Sequence, residues 1–424
     1  MLALLRRVAI DLTPLRASRD FRLLFVGQMV SNLGAQAALV ALPFQIFVLS
    51  HSPALVGLLG AFELGPMVVL ALYGGAMADR VDRRLLVGVS QIGVIAAAGA
   101  LAAAAASGRP PVLLILVLGG LLAGCGTLNS VSGTAIVPNV LPPDNLRGGL
   151  ALNYGISQLA GIVGPAMGGL LIAGTGLATT YAVDAGSCVA MLVAVFAMAP
   201  QRPVHVEQHP PVLHSIAEGL RFVRGNRALA GSFAIDLVAM TFGMPRALFA
   251  VLSLTVYHAG ASGAGLMYSA VALGGTVAVL TSGWLLHVRR LGLIVIGAVL
   301  AWGVGIALAG VVGSIGPALA FLAIAGAADG VSAVCRTAIN QTVTPDALRG
   351  RMSAVYILVV TSGPRFGDLE SGSVAGLTSA RISVLSGGLA CVVGVGLIVL
   401  AFPALAAYGR DEMPNPSPAV LVDE

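Results

Sequence analysis

The chain has 424 residues, 57% of them hydrophobic and only 10% charged, with a formal net charge of +5. A water-soluble protein of this length carries about 25% charged residues, so this one cannot cover an aqueous surface, and its hydrophobicity excludes disorder. The composition is that of an integral membrane protein.

Residues 1–21 read as an amphipathic segment lying at the inner membrane interface. They are not a cleavable signal, because Arg6 and Arg7 interrupt the only short apolar run and no small-residue cleavage site follows. A helix crossing the hydrocarbon core needs about 20 mostly apolar residues. Twelve such stretches follow in order, at 22–49, 53–78, 85–107, 111–138, 148–173, 178–199, 230–256, 262–288, 291–313, 315–343, 351–375 and 382–407. The runs are too long for strands and lack period-2 alternation. One long connection, 200–229, holds Pro200, Pro203, Pro210 and Pro211 and reads as a cytoplasmic linker. It divides a bundle at 22–199 from a second at 230–407, and a polar tail occupies 408–424.

The fold class expected is therefore all-α and membrane-embedded, with twelve transmembrane helices in two pseudo-symmetric six-helix bundles. All 23 basic residues are arginine, and eighteen of them fall in loops on one side of this arrangement. The opposite loops hold only Arg109 and Arg381. Arginine-rich short loops stay cytoplasmic, which places both termini inside a cell (inner) membrane. The positive charge is thus a topology signal, not a nucleic-acid surface.

The two halves repeat each other. Pro143-Asp144-Asn145-Leu146-Arg147-Gly148, followed by Tyr154, recurs as Pro345-Asp346-Ala347-Leu348-Arg349-Gly350, followed by Tyr356, at a constant offset of 202. Gly164-Pro165-x-x-Gly168 has a counterpart in Gly363-Pro364-x-x-Gly367. Parallel repeats joined by a linker suit a transporter that rocks about a site between its halves.

The motifs carry a resemblance. Gly75-Ala-Met-Ala-Asp79-Arg80-Val-Asp82-Arg83-Arg84 resembles the G-x-x-x-D-R-x-G-R-R loop of the major facilitator superfamily, with Asp82 where that pattern has glycine. The resemblance implies that Gly75, Asp79, Arg80, Arg83 and Arg84 form a latch between the halves in the outward-facing state. A carboxylate such as Asp79 is suited to a helix N-terminus, and the arginines also anchor topology. Gly164-Pro165-x-x-Gly168-Gly169 is similar to the G-P-x-x-G-G motif of the superfamily's antiporters and exporters. There, small residues permit tight helix contact and proline favours a bend. Glu218-Gly-Leu-Arg-Phe-Val-Arg224, Tyr181-Ala-Val-Asp184 and Pro345 to Arg351 resemble the enterobactin-exporter and macrolide-efflux branch.

Charge inside the membrane costs about 2.5–3.5 kcal/mol per residue on insertion scales, so each instance is a functional candidate. They are Glu63, Asp184, Asp236, Arg246, Asp329, Arg336, Arg365, Asp368 and Glu370. Six acids face three bases, which leaves three acids able to hold exchangeable protons. Glu63, Arg246, Asp329 and Arg365 fall near mid-span, the depth of a central cavity. Glu63 has no base in its own span and is the first candidate for protonation. Asp329 and Arg336, two turns apart, are expected to pair with other helices, whereas Arg365 and Asp368 can touch. Asp184 and Asp236 lie nearer span ends, where a structural or capping role is at least as good a reading. Asn32 and Gln36, with Gln28 and Gln45, form a polar stripe in the first span that lines a cavity or bonds to neighbouring helices.

His205, His209 and His214 lie in a proline-rich linker and do not amount to a metal site. The four cysteines (Cys125, Cys188, Cys335 and Cys391) stand far apart, without a disulfide framework. With no lysine there is no Walker loop and no direct ATP coupling. The expectation is a monomeric secondary transporter, not an enzyme, without cofactor. Its partners are protons, the lipid bilayer and a small organic substrate, drug-like or siderophore-like, exported by alternating access. An importer, a lipid-related transporter and a non-transporting sensor or scaffold of the same fold are the alternatives.

Overall fold

The computed structural model describes residues 12–78, 80–201, 212–345 and 348–409, and all regular structure in them is helical. Most of residues 1–21, the His205 and His209 stretch, Asp79, Asp346 and most of the tail lie outside the described residues. The first half contains α1 (Arg19–Ser50), α2 (Pro53–Ala78), α3 (Arg83–Ala106), α4 (Val112–Val140), α5 (Pro143–Thr175) and α6 (Leu177–Phe196). After a linker helix, Val212–Gly225, come α7 (Arg227–Phe242), a short helix Leu248–Thr255, and α8 (Gly260–Leu280). The remainder is α9 (Leu291–Val311), α10 (Ile315–Val343), α11 (Arg349–Leu377) and α12 (Ala380–Ala401).

Local chemistry fixes the helix starts. Ser18, Asn226 and Ser379 each accept a backbone N–H from the first turn of α1, α7 and α12, which satisfies a donor the helix itself cannot. Asp82 does the same for α3, accepting from Arg84 N at 2.9 Å with φ of −55°. That backbone conformation is open to any residue, so the acid in place of the motif's glycine acts as a cap.

Among the described residues, ten helices are long and apolar enough to cross a membrane. The other two expected spans differ for physical reasons. The stretch 230–256 is not one helix: it breaks at Gly243-Met244-Pro245, leaving a 16-residue α7 and an eight-residue continuation. Proline lacks the N–H of the helical ladder and pushes its predecessor out of helical conformation. The 29-residue α11 is long enough but carries Arg349, Arg351, Arg365, Asp368 and Glu370 and is too polar by the same measure. Large apolar side chains such as Leu280 and Leu400, each 80% exposed, cover the outside, as a lipid-facing surface requires.

Packing repeats between the halves. α1 packs on α5 and α6, α3 on α4 and α6, and α2 on α4. In the same order α7 packs on α11 and α12, α9 on α10 and α12, and α8 on α10. His51 after α1 and His258 before α8 both take φ of +51°, so even the loop after the first helix of each half repeats. The halves meet chiefly along two seams, α2 with α11 and α5 with α8.

Both seams are built from glycine, which allows backbones to approach closely. A Cβ on Gly57 would lie 2.7 Å from Gly372 Cα, and one on Gly60 2.7 Å from Arg365 O. One on Gly169 would lie 2.6 Å from Ala261 O. The α2–α11 contacts gather at the end nearest the α1–α2 loop. Toward the other end of α2, a Cβ on Gly65 or Gly75 meets nothing within 4 Å.

Candidate functional site

At the tight part of the α2–α11 seam, Arg365 Nη1 lies 2.7 Å from Glu63 Oε2 and 3.4 Å from Asp368 Oδ2. The Glu63 contact is ionic and lacks the alignment of a hydrogen bond. Glu63 and Asp368 are 4% and 5% exposed, so little water screens them. The break after α7 completes the group. Ala247, freed from the helical ladder by Pro245, donates its N–H to Asp368 Oδ1 at 3.0 Å. Arg246 beside it makes no ion pair among the described residues. Two acids and two arginines thus converge where the first half meets the second.

Arg246 lines a cavity of about 150 Å³ between the halves, with Gln36, Pro165, Phe249, Tyr268 and Trp302. Tyr268 donates to Arg246 O at 2.8 Å and meets Phe249 edge to face at 4.9 Å. Trp302 Nε1 is buried without a hydrogen-bond partner among the described residues. The wall therefore offers an unpaired guanidinium, a free indole N–H and aromatic faces. An anionic or acceptor-bearing aromatic group has the matching chemistry.

A second cluster ties α7 to α10. Arg336 contacts Asp236 at 2.5 Å and Asp329 at 3.5 Å. Sequence position alone puts Asp236 among structural or capping groups and separates Asp329 from Arg336. Instead the length of the arginine side chain spans two helical turns, and all three residues form one group with an excess acid. Glu63, which lacks a base in its own span, takes one from α11, because pairing here runs between helices. Asp184 and Glu370 make no ion pair among the described residues, and each has a buried carboxylate oxygen without a partner.

The polar stripe of α1 divides by depth. Gln28 and Asn32 line a cavity within the first half, Gln36 lines the one at Arg246, and Gln45 accepts the buried Tyr181 hydroxyl at 2.8 Å. In the α5 motif, Gly164 and Gly168 face Gln36 and Ala37 of α1, while Gly169 faces α8. Arg83 donates to Ala135 O at 2.7 Å and Arg84 to Met198 O at 2.8 Å, so these two bind α4 and the end of α6 within their own half. Arg80 sits exposed in the same loop.

Sequence reasoning did not place Ala247, Tyr268 or Trp302 here. Pro245 beside Arg246 was the available signal for the break. A further pairing joins two motifs: Glu218 of the linker helix meets Arg351 of α11 at 2.8 Å. A Cβ on Gly219 would lie 2.6 Å from Val355 Cγ2, so the linker helix is seated against the second half.

A family profile described as transmembrane secretion effector matches residues 9–424. The enterobactin exporter EntS of Citrobacter koseri is 28% identical over 96% of this chain and 97% of its own length. The EntS of a Shigella boydii strain is 27% identical over 92% and 93%. Among solved structures, a POT family transporter in complex with 5-aminolevulinic acid superposes with a TM-score of 0.75 at 12% identity, over 92% of this chain and 97% of that one. The chain shares its fold with that transporter.

Proposed function

We propose, from the premise that the chain belongs to the transmembrane secretion effector family of major facilitator transporters, that it exports a small siderophore-like or drug-like compound in exchange for protons. The observation that carries this reading is the Glu63–Arg365 contact. It joins the two halves at a glycine seam beside the cavity of about 150 Å³ that Arg246 lines, so whatever neutralises Glu63 also weakens the seam.

The cycle follows from that geometry. With twelve spans in two bundles and both termini in the cytoplasm, the closed end of the α2–α11 seam is the outer one, and the cavity is approached from inside. Cargo bearing an anionic or acceptor group enters against Arg246 and Trp302. Bound cargo permits the outer end of the seam to part, and a proton then reaches Glu63 from outside as the cargo leaves, removing its attraction for Arg365 and leaving Arg365 to Asp368. The proton stays through the return to the inward-open state and leaves to the cytoplasm, where the Glu63–Arg365 contact re-forms, so protons enter as cargo leaves. The Asp236–Asp329–Arg336 group, with one acid in excess, is a second place for a proton. The relatives named as enterobactin exporters support cargo of siderophore type.

The test uses everted membrane vesicles acidified inside and loaded with a pH-sensitive dye. Adding a siderophore or an amphipathic drug triggers proton release from the lumen in the parent, and the response is lost in Glu63→Gln. No release in the parent across both compound classes contradicts proton-coupled export.

A further inference from the structure

The first half holds a cavity of about 180 Å³ whose chemistry is opposite to that at Arg246. It lies among α1, α3, α4, α5 and α6 and is graded in depth. Ser130, Thr134 and Ser157 at its rim are exposed, whereas Gln91 and Asp184 are 1% and 0% exposed. Three of its residues carry buried oxygens without a hydrogen-bond partner among the described residues: Gln91 Oε1, Asn129 Oδ1 and Asp184 Oδ2. All three are acceptors. The other carboxylate oxygen of Asp184 accepts from the Cys188 thiol at 3.9 Å, its one side-chain partner among the described residues, and that sulfur lies 3.5 Å from Ser31 Oγ.

Among the described residues, no arginine compensates this carboxylate. Asp184 makes no ion pair among the described residues, and the arginines of α3 and α5, Arg83, Arg84 and Arg147, lie within the first five residues of those helices. A buried charge without a partner is costly, and an ionisable group inside a membrane span is by default a candidate for binding.

We propose that this cavity binds the ammonium group of a small organic amine, with Asp184 taking its charge and Gln91 and Asn129 accepting its N–H bonds. A primary ammonium has three donors and no acceptor, which matches three free acceptor oxygens. The volume exceeds that of a water, about 30 Å³, several times over, so it admits a carbon skeleton behind the nitrogen. The exposed hydroxyls at the rim suit entry of a hydrated cation, which sheds water as it descends. That the amine is part of an exported cargo rests on the efflux reading; the binding itself does not.

The experiment is equilibrium titration of the full chain in nanodiscs with three probes of one shape: benzylammonium, benzyl alcohol and benzoate. Benzylammonium binds at least tenfold more tightly than the other two, and Asp184→Asn lowers its affinity by at least tenfold. Should Asp184→Asn fail to fold, Asn129→Leu and Gln91→Leu leave the charge in place and weaken the same probe several-fold. Equal affinity for benzyl alcohol, an unchanged affinity in these variants, or heat on adding Na⁺ but not benzylammonium overturns the proposal. Asp184-dependent amine binding by a chain that exports nothing contradicts only the efflux reading, and export without such binding contradicts only this one.

Discussion

Glu63 on α2 and Arg365 on α11 come from opposite halves of the chain and meet at 2.7 Å within a seam too narrow for a side chain on Gly57 or Gly60. The contact is therefore both an ion pair and a closure. Removing one partner of such a buried pair leaves an uncompensated charge, at a cost of about 3–5 kcal/mol. Arg365→Gln is expected to lower thermal stability in detergent by that amount, and the double variant Glu63→Gln/Arg365→Gln by less than the sum of the two singles. Additive losses would show that the two groups do not interact.

The second ion cluster separates its two acids by exposure. Asp236 has a side chain 5% exposed at 2.5 Å from Arg336, whereas Asp329 is 32% exposed at 3.5 Å. Asp236→Asn should cost about 3–5 kcal/mol as a broken buried pair, and Asp329→Asn about 0–1 kcal/mol as a screened one. Thermal unfolding of the two variants, measured side by side, checks the order.

Glycines on the seams differ in what surrounds them. Gly169 faces Ala261 O, Ser262 and Gly265 of α8, while a Cβ on Gly155 of the same helix would meet nothing within 4 Å. Gly169→Val is expected to abolish vesicle transport and to reduce the yield of folded protein, and Gly155→Val to leave both near the parent level. Equal effects at the two positions would contradict close approach of α5 and α8.

The linker helix is held by an exposed pair. Glu218 and Arg351 are 28% and 35% exposed, so the pair contributes at most about 1 kcal/mol to folding. Arg351→Gln should leave the unfolding temperature within about a degree or two while increasing proteolytic cutting within Val212–Gly225. Unchanged cutting would mean that the Gly219 contact alone seats the helix.

Much of the fold was legible because membrane chemistry is restrictive: apolar runs of spanning length, arginine-rich alternate loops and the 202-residue repeat all report on topology. The site was legible only as residue types. Glu63, Arg365 and Asp368 stood out as buried charge, but their pairing depended on α2 meeting α11, which no spacing within one span encodes. Two turns of backbone between Asp329 and Arg336 is far for a contact, yet the arginine side chain closes the distance. The break after α7 was hidden by an apolar run that continues through Gly243 and Pro245, and with it went the Ala247 N–H that holds Asp368. The distance of Asp184 from its span end carries no information about a cavity opening beside it.

The central claim is that the halves tilt so that one end of the α2–α11 seam opens as the other closes. Spin labels placed by cysteine substitution at His51 and Thr378 report the closed end, and labels at Tyr73 and Ile357 report the other; all four positions are exposed, and the native cysteines are first replaced. Pulsed electron-spin distance measurements in nanodiscs, repeated with Glu63→Gln as a mimic of the protonated acid, should show the first distance lengthening as the second shortens. Two distances that stay fixed, or that lengthen together, would contradict it.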